Sequence, residues 1–90
     1  MKRSGYIRKT RLPIEDQRLI KRIGRKIHRE LHRRAETSET FSKQVAVARS
    51  TLREIIAGRS DARILTLRAI ALGLGYSSVK DFLSDIESIP

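Results

Sequence analysis

The residues best able to do chemistry in this sequence lie close together, between positions 49 and 54. Two arginines, a serine and a glutamate stand there, namely Arg49, Ser50, Arg53 and Glu54. Arginine can donate two hydrogen bonds to O6 and N7 of guanine, and glutamate can accept one from N4 of cytosine. The same side chains also suit the solvated face of an ordinary helix, so the surrounding sequence must distinguish base recognition from solvation.

The inventory of reactive side chains argues against catalysis. The 90 residues include no cysteine, no glycine-rich phosphate loop and no set resembling a catalytic triad or a carboxylate pair. His28 and His32 have the i, i+4 spacing of two metal ligands on a helix, but the arginines beside them would repel a cation. No third ligand is evident. We therefore predict no enzyme activity, no metal site and no cofactor.

Positions 38 to 58 must hold the candidate residues, and their pattern predicts two short helices joined by a tight turn. Apolar side chains recur at helical spacing on both: Phe41 and Val45, then Leu52, Ile55 and Ile56. The join, residues 45–48, is uncharged and has only small or β-branched side chains, so the helices must meet closely. This geometry suits a helix-turn-helix, whose second helix enters the DNA major groove. An ordinary hairpin of two helices fits the spacing as well.

Residues between positions 23 and 75 fall, without insertion or gap, in the register of a known family. They are Ile23, Gly24, Ile27, Phe41, Val47, Arg49, Ser50, Thr51, Leu52, Ile55, Gly58, Ile64, Leu67, Ile70, Ala71, Leu74 and Gly75. In this register the chain resembles the lambda-repressor-like helix-turn-helix domain of the Xre/Cro family of bacterial and phage regulators. The resemblance implies an all-α fold of five helices. It also implies a sequence-specific double-stranded DNA-binding transcriptional regulator, a repressor or an activator, with its third helix (about 49–57) in the major groove.

The resemblance also implies roles for individual residues. Arg49, Ser50 and Glu54 match the positions that usually read bases, and Arg53 is a weaker candidate for the same role. Contacts to DNA phosphates are implied around the second and third helices and in the loop that follows: Ser38, Lys43, Thr51, Arg59 and Arg63. A solvated loop fits Arg59 and Arg63 nearly as well.

Three residues depart from the family pattern. Ser42 stands where alanine is favoured, Ala46 where the turn usually has glycine, and Ala48 where a serine commonly caps the third helix. We expect the missing cap to cost about 1 kcal/mol. We also expect strain at Ala46, because a left-handed turn residue is disfavoured by a Cβ atom.

Positive charge is concentrated in front of the predicted motif. The formal net charge is +10 and the sequence pI is near 11.1, which suits a polyanionic partner. Residues 1–36 contribute +9 of this charge and residues 37–90 only +1. Arginines recur along one face of the first predicted helix, which contacts either phosphate or solvent: Arg18, Arg22, Arg25, Arg29 and Arg33.

Residues 1–12 lack apolar periodicity and are predicted to form a flexible basic arm ahead of a helical domain over 13–90. Five basic residues lie in this arm: Lys2, Arg3, Arg8, Lys9 and Arg11. They could contact DNA phosphates or enter the minor groove, or the arm could be only a solubilising tail.

Further signals complete the prediction of the helices. Pro13 suits the start of the first, Thr37 or Ser38 can cap the second, and Gly58 and Gly75 suit the ends of the third and fourth. Residues 78–81 resemble a capping box for a fifth helix, whose apolar residues are Val79, Phe82, Leu83 and Ile86.

The fifth helix is the predicted contact with a second chain, because it offers more apolar surface than one small core absorbs: Phe82, Leu83, Ile86 and Ile89. Ile86 and Ile89 are expected to remain outside the small core. Because one recognition helix reads too few base pairs to find a site in a genome, we predict a homodimer, at least on DNA.

Location and class follow from what the sequence lacks. No apolar run approaches membrane-spanning length, and the basic start lacks the apolar core of a signal peptide, so we expect a cytoplasmic, nucleoid-associated protein. Two alternatives to a regulator stay open. One is an antitoxin or adaptor that uses the domain to hold a protein partner, and the other is a nucleoid protein that binds DNA non-specifically by charge.

Overall fold

The computed structural model describes residues 12–87, which form five α-helices and no β-strand. The helices are α1 Ile14–Arg33, α2 Ser38–Val45, α3 Arg49–Ile56, α4 Ile64–Gly73 and α5 Val79–Glu87. The predicted all-α class is therefore confirmed. The predicted contact residues of the basic arm, and Ile89, lie outside the described residues. Within residues 12–87, no helix is both long and apolar enough to cross a membrane.

Helix α1 is the longest element, and its ends follow from local sequence. Pro13 precedes it with φ −54°, and the Pro13 carbonyl accepts the Gln17 N–H at 3.0 Å. Acidic residues occupy its first turn and basic residues its last, which complements the helix dipole. After Arg34, the chain leaves the helix through Ala35, which has a positive φ of 54°.

One hydrophobic core joins all five helices. Helix α1 packs against α3 and α5, α2 packs against α3 and α4, and α4 packs against α5. Phe41 of α2 and Phe82 of α5 are the largest fully buried side chains. The rest of the core comes from the predicted apolar faces: Ile23, Ile27, Leu31, Leu52, Ile55, Leu67, Ile70, Ala71 and Ile86.

The absence of a side chain at Gly24 lets α1 approach the backbone of α3. A Cβ atom built on Gly24 would lie 2.6 Å from the Ile55 carbonyl oxygen, and closer still to that of Ile56. Because both obstacles are backbone atoms, rotation of a side chain cannot make room. Gly24 therefore fixes how closely α3 is held to α1.

Polar contacts hold α5 to α1 at the edge of the core. Asp85 forms an ion pair with Lys26 at 3.0 Å and accepts a hydrogen bond from the Tyr76 hydroxyl at 2.5 Å. The Tyr76 ring meets the Phe82 ring edge-on, with centroids 5.2 Å apart. The hydrogen bond from Tyr76, and then the one from Lys26, lower the pKa of Asp85. Burial, followed by the bond to Asp85, raises the pKa of Tyr76.

The prediction for the start of α5 was correct, whereas the prediction for its end was wrong. Ser78 Oγ accepts the Asp81 N–H at 3.1 Å, as expected of a helix cap. Ile86 was expected to remain free for a second chain, but it is only 2% exposed. It lies one turn after Phe82, so both side chains enter the core. Within residues 12–87, the exposed large apolar residues are instead Ile14, Ile64, Leu65 and Leu72.

Candidate nucleic-acid interface

The turn between α2 and α3 consists of three residues, 46 to 48, between two helices of eight residues each. Ala46 is left-handed, with φ 58° and ψ 40°, and the Val47 N–H donates to the Ser42 carbonyl at 3.0 Å. Ala48 precedes α3 and gives it no side-chain cap. The structure thus confirms that Ala46 is a left-handed turn residue and that the third helix lacks a side-chain cap.

The start of α2 is capped by Thr37 rather than by Ser38. Thr37 Oγ1 accepts the Thr40 N–H at 3.1 Å, so Ser38 is the first helical residue and is half-buried. Ser42, which stands where alanine was expected, is 5% exposed. Its hydroxyl donates to the Glu39 carbonyl at 2.7 Å, so α2 itself satisfies this buried polar group.

Helix α3 has one anchored face and one free face. Leu52 is fully buried and Ile55 is 2% exposed, so these two side chains fix the helix to the core. All the candidate contact residues of α3 are exposed: Arg49, Ser50, Thr51, Arg53 and Glu54. The structure therefore brings together the four predicted base readers on one solvent-facing surface.

The first of these residues, Arg49, has only a weak partner. Its Nη1 atom lies 3.6 Å from Glu39 Oε1, and both side chains are more than half exposed. Pairs of this kind contribute little free energy in water because solvent screens them. The Arg49 guanidinium can therefore exchange Glu39 for another acceptor at small cost.

Glu54 is held much more closely, by Arg59. Arg59 Nε donates to Oε1 at 3.1 Å, and Nη2 donates to Oε2 at 2.8 Å, which is the bidentate geometry of an arginine–carboxylate pair. These bonds lower the pKa of Glu54 and raise that of Arg59. Gly58, with φ 74°, makes the turn that carries Arg59 back alongside α3. A predicted base reader and a predicted phosphate contact are thus paired with each other, which the sequence analysis missed.

Other cations of this region are uncommitted. Lys43, Arg53 and Arg63 are exposed and form no ion pair within residues 12–87. The arginine stripe of α1 is divided, because Arg33 pairs with Glu30 at 2.5 Å. Its other members form no ion pair within that part of the chain: Arg18, Arg22, Arg25 and Arg29.

A cleft of about 450 Å³ opens between α1, the start of α2 and the end of α3. Polar side chains from all three helices and the neighbouring loops line it: His28, His32, Glu36, Ser38, Arg53 and Arg59. The two imidazole rings are stacked, with centroids 6.4 Å apart and an angle of 23° between planes. Within residues 12–87, no three histidine, aspartate or glutamate side chains are grouped so as to hold a metal ion. We call this feature the histidine cleft.

The sequence did not indicate the histidine cleft, although the i, i+4 spacing of His28 and His32 was visible. By itself that spacing indicates only a metal site on a helix. Arg53 joins the histidines because α3 crosses α1 at Gly24, and such a crossing cannot be deduced from either helix alone.

Comparisons of the chain with protein-family models, with curated proteins and with solved structures each found no match.

Proposed function

We propose that this protein is a sequence-specific double-stranded DNA-binding regulator of transcription, built on a lambda-repressor-like helix-turn-helix. The observation that carries the proposal is the two-sided character of α3, which is anchored by Leu52 and Ile55 and exposes its polar residues to solvent. A short turn joins it to α2, which suits a helix that must protrude from the domain and enter a groove.

The exposed residues have the chemistry that base recognition requires. Arg49 offers donors to guanine from the first turn of α3, and its weak pairing with Glu39 is a small obstacle. Ser50 stands beside it. Glu54 keeps acceptor capacity for cytosine N4, because each of its oxygens accepts only one bond from Arg59. The remaining cations, with a net charge of +10 on the chain, supply attraction to phosphates.

The test is to select bound sites from random duplexes and then to measure the Arg49→Ala variant on the selected site. We expect a loss of about 1–3 kcal/mol and relaxed preference at one base pair. Arg68→Ala is the matched control, because Arg68 is exposed on α4. Helix α4 packs on α2 and α5, whereas α3 is the helix proposed to enter the DNA groove. An equal loss on all sequences would reduce Arg49 to a phosphate contact, and absence of any selected site would favour a non-specific nucleoid protein.

A second candidate, an adaptor or antitoxin that holds a protein partner, is favoured by a different observation. Helix α4 exposes Leu65 to 75%, together with Ile64 and Leu72. The Leu65→Asp variant separates the two functions. An adaptor would lose its protein partner and keep its fold, whereas a regulator that works through α3 alone would keep its affinity for a single DNA site.

Pairing of two copies on DNA remains part of the proposal. Ile86 does not supply the contact, because it is buried. Sedimentation with and without a selected duplex gives the stoichiometry. Two chains on a palindromic site are expected, and one chain on a site without internal repeat would contradict the pairing.

A further inference from the structure

The histidine cleft is lined by several hydrogen-bond donors and by one carboxylate, that of Glu36. Arg53 forms no ion pair within residues 12–87, although it lines the cleft. Arg59 uses Nε and Nη2 for Glu54, so Nη1 remains as a donor. Each imidazole offers at least one N–H in either protonation state, and the Ser38 hydroxyl can donate as well.

The negative charge at the histidine cleft is already neutralised. Glu36 is the carboxylate in its lining, and Arg34 Nη2 lies 3.5 Å from Glu36 Oε1. Glu54, the acid next to Arg53 in sequence, is paired with Arg59. An anion entering the cleft would therefore meet Arg53 and the histidines without strong repulsion.

The walls of the cleft strengthen such an interaction. Leu31, Ile56 and Ala57 contribute apolar surface beside the donors. Low-dielectric walls focus the field of the cations into a cleft, although the histidine and arginine donors here stay exposed to solvent. Arginine in particular suits phosphate, whose oxygens match its fork of donors.

We propose that the histidine cleft is a phosphate-binding site in which Arg53, His28, His32 and Ser38 donate to the phosphate oxygens. This assigns Arg53 to phosphate rather than to a base. The phosphate can come from the DNA backbone or from a free phosphate ion. Binding of a DNA phosphate in the cleft rests on the proposed function. Binding of a free phosphate ion does not, because it requires no contact between α3 and bases.

The first experiment uses inorganic phosphate as the probe. The chain has only two histidines, so imidazole proton signals in an NMR spectrum report on the cleft alone. Titration with phosphate at constant ionic strength should shift both signals and saturate. In Arg53→Ala, the same shift should need at least a tenfold higher phosphate concentration, whereas Arg68→Ala should behave as the unmodified chain does.

The second experiment identifies the source of the phosphate. His28→Ala/His32→Ala and Arg53→Ala are compared with Arg68→Ala for binding to a selected duplex and to an unrelated one. If the backbone occupies the cleft, the cleft variants lose affinity equally on both duplexes. Loss of the Arg53 contact should also reduce the slope of log K against log salt concentration by about one. Circular dichroism checks that the helices persist in every variant.

The outcomes separate cleanly. Saturable phosphate shifts without any effect on duplex binding support the site and assign it to a free phosphate. The same shifts in a chain that binds no duplex support the site while refuting the proposed function. Unchanged histidine signals overturn the proposal, and so does an Arg53→Ala variant that alters base preference at one position.

Discussion

Replacement of Gly24 by alanine tests the contact that sets the position of α3. The new Cβ atom would lie 2.6 Å from the Ile55 carbonyl oxygen, where a comfortable carbon–oxygen contact is about 3.4 Å. Helices α1 and α3 must then move apart by about 1 Å, because the new Cβ atom and the carbonyl oxygen are both held by helix backbone and neither can rotate away. We therefore expect a displaced α3 rather than a rotated side chain.

The expected magnitude combines two opposing effects. Overpacking of this kind costs about 1–3 kcal/mol, and the upper end applies because backbone cannot relax easily. Alanine is favoured over glycine inside a helix by about 1 kcal/mol, which offsets part of the cost. The net destabilisation is about 2 kcal/mol, equivalent to a decrease of roughly 8–16 °C in Tm for a domain of this size.

Two assays follow from the same displacement. Urea unfolding gives the change in stability, and binding to a selected duplex under folding conditions reports the altered position of α3. Gly73→Ala is a graded comparison, because its Cβ would conflict with the Val45 side chain and approach the Phe41 ring to 3.2 Å. Those neighbours are side chains, so we expect a smaller effect on DNA binding. A Gly24→Ala protein with unchanged stability and affinity would refute the packing argument.

Three further substitutions test local features of the structure. Ala46→Gly should stabilise the domain by up to about 1 kcal/mol in urea unfolding, because relief of the left-handed strain exceeds the added entropy of the unfolded chain. The control is Ala57→Gly, which should destabilise the domain because Ala57 has an ordinary φ of −74°. Ala48→Ser should supply the missing cap of α3 and raise the unfolding free energy by about 1 kcal/mol, and an unchanged value would mean that the hydroxyl does not reach the backbone. Tyr76→Phe should cost about 1 kcal/mol at neutral pH by removing the bond to Asp85. Since the folded pKa of Asp85 is lowered, its stabilising contribution is present above the unfolded value and is lost as pH falls below about 4, so this acid-induced loss should be smaller in Tyr76→Phe.

The sequence was sufficient for the helices because each carries its own signals. Apolar spacing defined the core faces, and local residues such as Gly58 and Ser78 defined the ends. The left-handed Ala46 was predicted through a resemblance, since nothing in the residue type favours that conformation. The sequence does not distinguish Thr37 from Ser38 as the cap of α2, because both hydroxyls can perform the role.

The features that the sequence did not predict depend on contacts between elements. Ile86 was expected on the surface because the capacity of the core cannot be judged before the helices are packed. The pair of Glu54 and Arg59 depends on the path of the chain after Gly58 and on two flexible side chains. The histidine cleft depends on the crossing of α1 and α3. The sequence therefore shows its residues one by one but does not predict that they lie close together.

The two alanines with positive φ have a consequence for motion. Ala35 and Ala46 stand on either side of α2, so the shortest route to relieve both strained residues is to unwind that one helix. Phe41 and Ser42 are the buried residues of α2, and Val45 is only partly buried against the core. The amide protons of α2 should therefore exchange with solvent through a local opening, at lower free energy than those in the middle of α1. In the proposed complex with DNA, such an opening of α2 would let α3 adjust its approach to the major groove while α1 keeps its contact with α3 at Gly24.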